Sequence, residues 1–223
     1  MQVSGFIKVE YEYTNDPETA SKWLNSLDDV FAADFEAAIR YSPERVEEAK
    51  ANMVNVDLPK KTRVLEQAIA KATPLGHPSH TVITHLSVAC SEDKGYVIII
   101  DTQEIADVVF DFLTETDKTQ IWHNYSYDGR LLRYYTFKDA KNVEDTQILA
   151  KTLVNHVETF KARTGLKELA GSWYGDWAVS EDKFDLSQIY DLKLIKYAAT
   201  DACATYKLWF YMIKFIKEMI DEE

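Results

Sequence analysis

Two carboxylates stand two residues apart in the run Val30-Phe31-Ala32-Ala33-Asp34-Phe35-Glu36-Ala37. The apolar neighbours and the charge that bounds the run predict a short buried strand. Residues i and i+2 of a strand point the same way, so Asp34 and Glu36 share a face. Two negative charges held together among apolar groups repel, and burying either alone is expensive. A divalent cation between them removes both costs, which makes the pair a candidate metal site. An acidic pair where a strand end frays into a polar loop would need no cation.

Two further acids fall in matching contexts. Asp128 follows a short strand expected at 120–123, where a helix begins. Open α/β sheets gather their chemistry at the carboxyl ends of strands. Asp at a helix start also serves as an N-cap, and Asn124, four residues earlier, suits a turn. Tyr197 and Asp201 lie four apart in a long helix expected over 192–220, so they stack on one face. Ala198, Ala199, Ala202 and Ala204 around them are small and let that helix lie close to a sheet. An Asp in such a segment either pairs, with Lys196 or Lys207 in reach, or coordinates a cation.

These acids need a frame to bring them together. Alternation at Ile7, Val9, Tyr11 and Tyr13 predicts a half-buried strand over 6–13. Asp16 and Pro17 open a helix whose apolar stripe is Trp23, Leu24 and Leu27. Strands are expected at 81–91 and 96–100, joined by the turn Glu92-Asp93-Lys94-Gly95. Val97-Ile98-Ile99-Ile100 is apolar on both faces, as a central strand is. Helices are expected at 103–113, from about 128 through 135, and at 146–153, 166–174 and 192–220, with a last extended piece at 142–145. The stretch 41–79 differs: it is charged, helical in spacing, and closes on Thr73-Pro74-Leu75-Gly76-His77-Pro78. It reads as a helical insertion within one domain spanning 1–223. His77, His80 and His85 lack the spacing of one ligating helix face and read as surface residues. The element order predicts an α/β domain, a mixed sheet of about five strands flanked by helices.

Composition bounds the function. A chain of 223 residues with 46% hydrophobic content can bury a full core. No apolar run reaches the roughly 18 residues of a membrane span, and no secretory leader pattern follows Met1. Cys90 and Cys203 form neither a disulfide framework nor a metal-ligand spacing, so a cytoplasmic, reducing setting without a membrane is expected. Acids outnumber bases by 37 to 25, for a net charge of −12. That argues against a chain that holds nucleic acid by bulk electrostatics, without excluding one. It leaves open an acidic site neutralised by its own cations.

Taken in order, three motifs resemble those of the DEDD superfamily of 3′–5′ exonucleases, in its tyrosine-bearing branch. They are Asp34-Phe35-Glu36, His123-Asn124-Tyr125-Ser126-Tyr127-Asp128 and Tyr197-Ala198-Ala199-Thr200-Asp201-Ala202. Within that branch the chain resembles the proofreading exonuclease domain of family-A (DNA polymerase I type) DNA polymerases. Asp145-Thr146-Gln147-Ile148-Leu149, Gly165-Leu166-Lys167-Glu168-Leu169-Ala170 and Gln188-Ile189 extend the resemblance, which runs from residue 30 to the C-terminus. It departs at 41–79, and a polymerase domain is not expected within these 223 residues.

The resemblance implies a ribonuclease H-like fold with the insertion placed after the first-motif strand. It implies a metal-dependent exonuclease hydrolysing DNA from the 3′ end to mononucleotides, as in proofreading. The cofactors would be two divalent cations, Mg2+ or Mn2+, which suit all-oxygen ligands. Asp34, Glu36 and Asp201 would hold the first. Asp34 would bridge to the second, with Asp128 on it directly or through water, and Tyr197 would orient the attacking water. Asn124, Phe35, Tyr125 and Tyr127 would contact the terminal nucleotides, the two tyrosines serving equally as core. The expected partners are single-stranded or frayed 3′ DNA ends and a DNA polymerase domain or subunit. Two alternatives stand beside this: an RNA-trimming exonuclease of the same superfamily, and a non-catalytic scaffold binding a replication partner. The intact set of four acids and a tyrosine argues against the scaffold.

Overall fold

The computed structural model describes residues 9–39, 78–156, 164–174 and 186–221. Among these residues six strands build one mixed sheet: β1 (Glu10–Thr14), β2 (Val30–Ile39), β3 (Thr81–Ala89), β4 (Lys94–Ile99), β5 (Thr119–Trp122) and β6 (Val143–Asp145). Their order across the sheet is β1-β4-β3-β2-β5-β6. β2, β3 and β4 pair antiparallel, and β1, β5 and β6 join in parallel. The helices are α1 (Pro17–Ser26), α2 (Gln103–Glu115), α3 (Tyr125–Thr136), α4 (Thr146–His156), α5 (Leu166–Tyr174) and α6 (Leu192–Asp221). This is the expected α/β, ribonuclease H-like arrangement, with one correction to the strand number. The sixth strand, β6, is three residues long and too short to show an alternation. Its place comes from parallel pairing with β5, Trp122 against Asp145. The start of the strand expected over 6–13 and nearly all of the insertion expected over 41–79 lie outside the described residues.

Local chemistry explains the element ends. The Asp16 carboxylate accepts from the Thr19 amide at 2.8 Å and Pro17 takes the first helical position, so α1 starts where the sequence places it. Alternation along β2 divides its side chains between two layers. Phe31, Ala33, Phe35 and Ala37 enter a core with Leu24 of α1, Leu86 and Val88 of β3, and Ile105, Val109 and Leu113 of α2. Asp34 and Glu36 take the other face, the one covered by α6. There Ala89, Val97 and Ile99 meet Ile195, Ala198, Ala199, Ala202 and Cys203. Burial pushes the Cys203 thiol up to about 12, as befits an inert core residue.

α6 packs across β2, β3 and β4, and its close approach has a specific cause. A Cβ added at Gly95 of β4 would stand 2.9 Å from the Ala199 carbonyl oxygen and 3.0 Å from the Ala199 Cβ. Glycine on the strand and alanine on the helix therefore set the height of Asp201 above β2. Gly95→Val should lift α6 at a cost of about 1–3 kcal/mol, a melting point lower by roughly 3–10 °C. The metal-dependent activity that the sequence leads one to expect should fall more than tenfold as Asp201 recedes. A thermal melt and initial rates that both match the parent would show that this contact does not set the helix position.

Candidate active site

The site begins at a bulge. Glu36 pairs with His85 and Ala37 with Ile83, so Thr84 is an extra residue on β3 just past the acidic pair. The Thr84 hydroxyl reaches the Glu36 carbonyl at 3.1 Å. A bulge bends the strand that carries it and increases the local twist, here in β3 directly beside the two acids. His85, expected at the surface, is instead fully buried in β3. Its Nε2–H donates to the Ile189 carbonyl at 2.8 Å, and its Nδ1 lies 2.9 Å from Thr84 Oγ1. Burial pulls its titration down, opposed by the bond to Ile189, so a neutral ring ties the segment before α6 to the strand beside Glu36.

Asp34, Glu36 and Asp201 converge. Each offers one ligand oxygen, and the three atoms lie within 4.8 Å of one another. Glu36 is 5% and Asp201 6% exposed, while Asp34 is half-buried. Residues from β2 and from α6, far apart in sequence, thus form one all-oxygen set of the kind that holds hard divalent cations. Tyr197, one helical turn before Asp201, is buried on the same helix.

Asp128 is near enough to Asp34 to feel its charge. It is 3% exposed, and its Oδ1 is buried with no hydrogen-bond partner. Burial holds its carboxyl well above the ordinary range, the negative charge of Asp34 adds to this, and the Phe35 main chain opposes it. A buried carboxylate with an unsatisfied oxygen, repelled by the charge of another acid, is in an environment that a cation relieves. Asp128 is not the helix cap. That position belongs to Asn124, in the left-handed region with φ 64° and ψ 48°. Asp128 sits one turn inside α3.

What places α3 is Asp145, at the end of β6. Its Oδ1 accepts from the amides of Asn124 at 3.0 Å, Gln147 at 2.8 Å and Ile148 at 3.3 Å, and its Oδ2 accepts from Tyr125 at 2.9 Å. One carboxylate therefore satisfies the first amides of both α3 and α4.

The expected nucleotide contacts divide. The Phe35 ring faces the opposite layer, 5.3 Å from the Trp122 ring and 6.4 Å from that of Phe110. Strand alternation put it there, so the expectation that it stacks on a base is corrected. Tyr125 packs on Trp122 at 5.5 Å, its hydroxyl accepts from the Ala140 amide at 3.0 Å, and Gly129 leaves room for its ring. It is half-buried and packs against the core. Asn124 and Tyr127 are half-buried at the start of α3, with the Asn124 Oδ1 accepting from the Ser126 hydroxyl at 2.8 Å.

Sequence reasoning missed one member. Lys167 of α5 forms an ion pair with Asp201 Oδ1, and its ammonium lies 4.1 Å from the centre of the Tyr197 ring. The partners proposed for Asp201 along the helix do other things: Lys207 pairs with Glu92 at 2.6 Å and Lys196 is exposed. The only signal was the position of Lys167 inside the segment 165–170.

His123, in the second motif, leads to an expected acid sensitivity. The Thr146 hydroxyl donates to the Trp122 carbonyl at 3.1 Å, so it accepts from His123 Nδ1–H at 2.8 Å. Burial pushes the ring down from 6.5 to about 4. A folded value below the unfolded one means that the unfolded chain protonates first as pH falls. The stabilisation is therefore complete above about pH 6.5 and lost on the way to pH 4, and His85 adds in the same direction. Between pH 7 and pH 5, His123 should remove about 2 kcal/mol of unfolding free energy. Urea denaturation of the parent and of His123→Gln at both pH values checks this. Parallel losses in the two would assign the sensitivity to other groups.

Residues 75–217 match the family model of 3′–5′ exonucleases. The chain belongs to the 3′–5′ exonuclease family, within the DEDD superfamily. Asp34 and Glu36 precede the matched span, and it is the fold that delivers them to Asp201. Solved structures with the same fold include NrnC of Brucella melitensis with bound Mg2+, at 15% identity and TM-score 0.54, covering 96% of this chain and 83% of that one. The catalytic core of RRP6 from Trypanosoma brucei aligns at 10% identity and TM-score 0.64, covering 95% of this chain and 48% of that one. RNase D of Escherichia coli, an exoribonuclease involved in structured RNA processing, aligns at 13% identity and TM-score 0.61, over 92% of this chain and 44% of that one. The exonuclease thus spans about half the length of the last two. No curated protein matches it by sequence. None of its described helices is long and apolar enough to cross a membrane.

Proposed function

We propose that this exonuclease hydrolyses single-stranded RNA from the 3′ end, with two divalent cations, Mg2+ or Mn2+, held around Asp34. The observation that carries the reading is the arrangement of acids: Asp34, Glu36 and Asp201 within 4.8 Å, and Asp128 raised by burial and further by the charge of Asp34. Asp34, Glu36 and Asp201 would hold one cation, and Asp34 with Asp128 the other. Bound there, the cations supply Lewis acidity at the scissile phosphate and offset charge on the leaving 3′ oxygen. Tyr197 orients the attacking water through its hydroxyl; a phenol is too weak a base at neutral pH to do more. Asn124 and Tyr127 contact the terminal nucleotides, where stacking on a ring contributes roughly 1–3 kcal/mol per base.

The choice of RNA draws support from RNase D and from NrnC, which has been solved with pGG bound. The DNA reading, proofreading beside a polymerase domain or subunit, draws support from the motif order in the sequence. Either substrate enters as a single strand. Opening a duplex step costs on average about 1.4 kcal/mol, so freeing three nucleotides costs roughly 4 kcal/mol, close to a thousandfold in rate. The acidic surface offers little to hold a duplex while it frays.

Initial rates on end-labelled single-stranded RNA, single-stranded DNA, matched duplex and terminally mismatched duplex test this, each with Mg2+, Mn2+ or EDTA. Expected are mononucleotide release only with metal, RNA ahead of DNA, and matched duplex last. DNA ahead of RNA with a preference for mismatched ends would replace this reading with proofreading. Failure on every substrate would leave the scaffold.

A further inference from the structure

Lys167 reaches across 34 residues of sequence to Asp201, and its ammonium sits both on Oδ1 and against the face of the Tyr197 ring. The two contacts grip residues one turn apart on α6, both members of the proposed reaction set. The pair is drawn back from solvent: the Asp201 side chain is 9% and that of Lys167 28% exposed. It is therefore poorly screened, unlike an ordinary surface bridge. The stem has a firm base, since Leu169 and Ala170 of the same helix are buried in the core. The position is not arbitrary, because Asp201 Oδ1 belongs to a carboxylate that also closes the set with Asp34 and Glu36.

We propose that Lys167 is an internal counter-ion of the metal site, which competes with the divalent cation for Asp201 and is expelled when the cation binds. This rests on the metal-dependent reading above. An ammonium on one oxygen and a divalent cation on the same carboxylate repel at close range, where little water intervenes. The carboxylate cannot serve both at full strength. With the ammonium in place, the charge of the acid cluster is partly offset and Asp201 and Tyr197 keep their spacing. With the cation in place, the ammonium must leave Asp201, and its flexible four-carbon stem allows that without moving α5. Lys167 is thus a positioning residue that sets the threshold for metal uptake.

Two measurements without substrate test the idea. The first is Mn2+ titration by calorimetry and thermal melting of the parent, Lys167→Met, Lys167→Arg and Asp34→Asn. Lys167→Met should melt lower than the parent in EDTA, bind Mn2+ about tenfold more tightly, and gain more in melting point on saturation. Lys167→Arg, which keeps the charge, should stay near the parent. Equal or weaker Mn2+ binding by Lys167→Met would overturn the proposal while parental binding leaves the metal reading intact. Parental Mn2+ binding that is absent, or unchanged in Asp34→Asn, would sink the metal reading itself and this proposal with it. The second measurement needs no variant: acetylation of Lys167 in the parent, followed by mass spectrometry, should run several-fold faster with Mn2+ than with EDTA. An unchanged labelling rate would show that the ammonium stays where it is, and the proposal fails.

Discussion

Asp34→Asn should lose at least about a thousandfold in exonuclease rate while folding at least as stably as the parent. Asparagine keeps the shape of the side chain and removes the charge, so a loss of rate reports on electrostatics rather than packing. Asp34 is the acid shared by both halves of the site: its ligand oxygen lies within 4.8 Å of those of Glu36 and Asp201, and its charge adds to the burial that raises Asp128. Like charges this close repel, so in EDTA the variant should melt at or above the parent, and the Asp128 carboxyl should move back toward its ordinary range. Asp201→Asn should be equally inactive and yet behave differently on heating. It also breaks the ion pair with Lys167, and stranding a partly buried ammonium costs about 1–3 kcal/mol, or roughly 2–10 °C in a domain of this size. Melts in EDTA beside single-turnover rates decide the matter. A melting point for Asp34→Asn that drops by ten degrees or so would make that acid structural and sink its assignment to the metal.

The elements that carry these acids were legible because each has a local cause. Asp16 and Pro17 start α1 through a cap bond that needs only four neighbouring residues. The alternation in β2 divides Asp34 and Glu36 from Phe31 and Ala33 without help from the rest of the chain. The small residues around Asp201 announced a helix that would lie close to the sheet, and Gly95 against Ala199 is the contact they anticipate. Four acids on three elements could be named before the fold was seen, since a buried acid demands compensation wherever it falls.

What stayed hidden depends on partners distant in sequence. β6 is a strand only because β5 pairs with it. His85 reads as polar and therefore exposed, until a bulge and the Ile189 carbonyl supply both its nitrogens with neighbours. Phe35, flanked by two acids, invites a role beside them, and the same alternation that pairs the acids turns its ring away. Lys167 was one cation among 25 basic residues, and nothing within its own segment points at Asp201. Motif spacing locates groups that act through their own element. It is silent on those that act across the fold.

Asp145 is the clearest case of such action, and Asp145→Ala should be the most disruptive single change outside the acid cluster. Its carboxylate accepts from four amides, those of Asn124, Tyr125, Gln147 and Ile148. Each helix loses a cap worth about 0.5–2 kcal/mol, and bonds to an ionised acceptor lie at the upper end. The combined loss should be about 2–4 kcal/mol, seen as a lower urea midpoint with an unchanged slope. Function should suffer beyond stability. Asn124 is held in the left-handed region by the bond to its amide, and Asp128 follows it one turn into α3. Releasing that turn lets Asp128 drift from Asp34, which should weaken Mn2+ binding and lower the rate by about a hundredfold even at temperatures where the variant is fully folded. Asp145→Asn separates the two effects. It retains one acceptor oxygen and places an amide nitrogen where the other stood, so it should recover part of the stability and little of the geometry. Recovery of full rate in Asp145→Asn, or a normal rate in folded Asp145→Ala, would show that α3 finds its place without this carboxylate, and that packing of Leu131 and Leu132 in the core is enough.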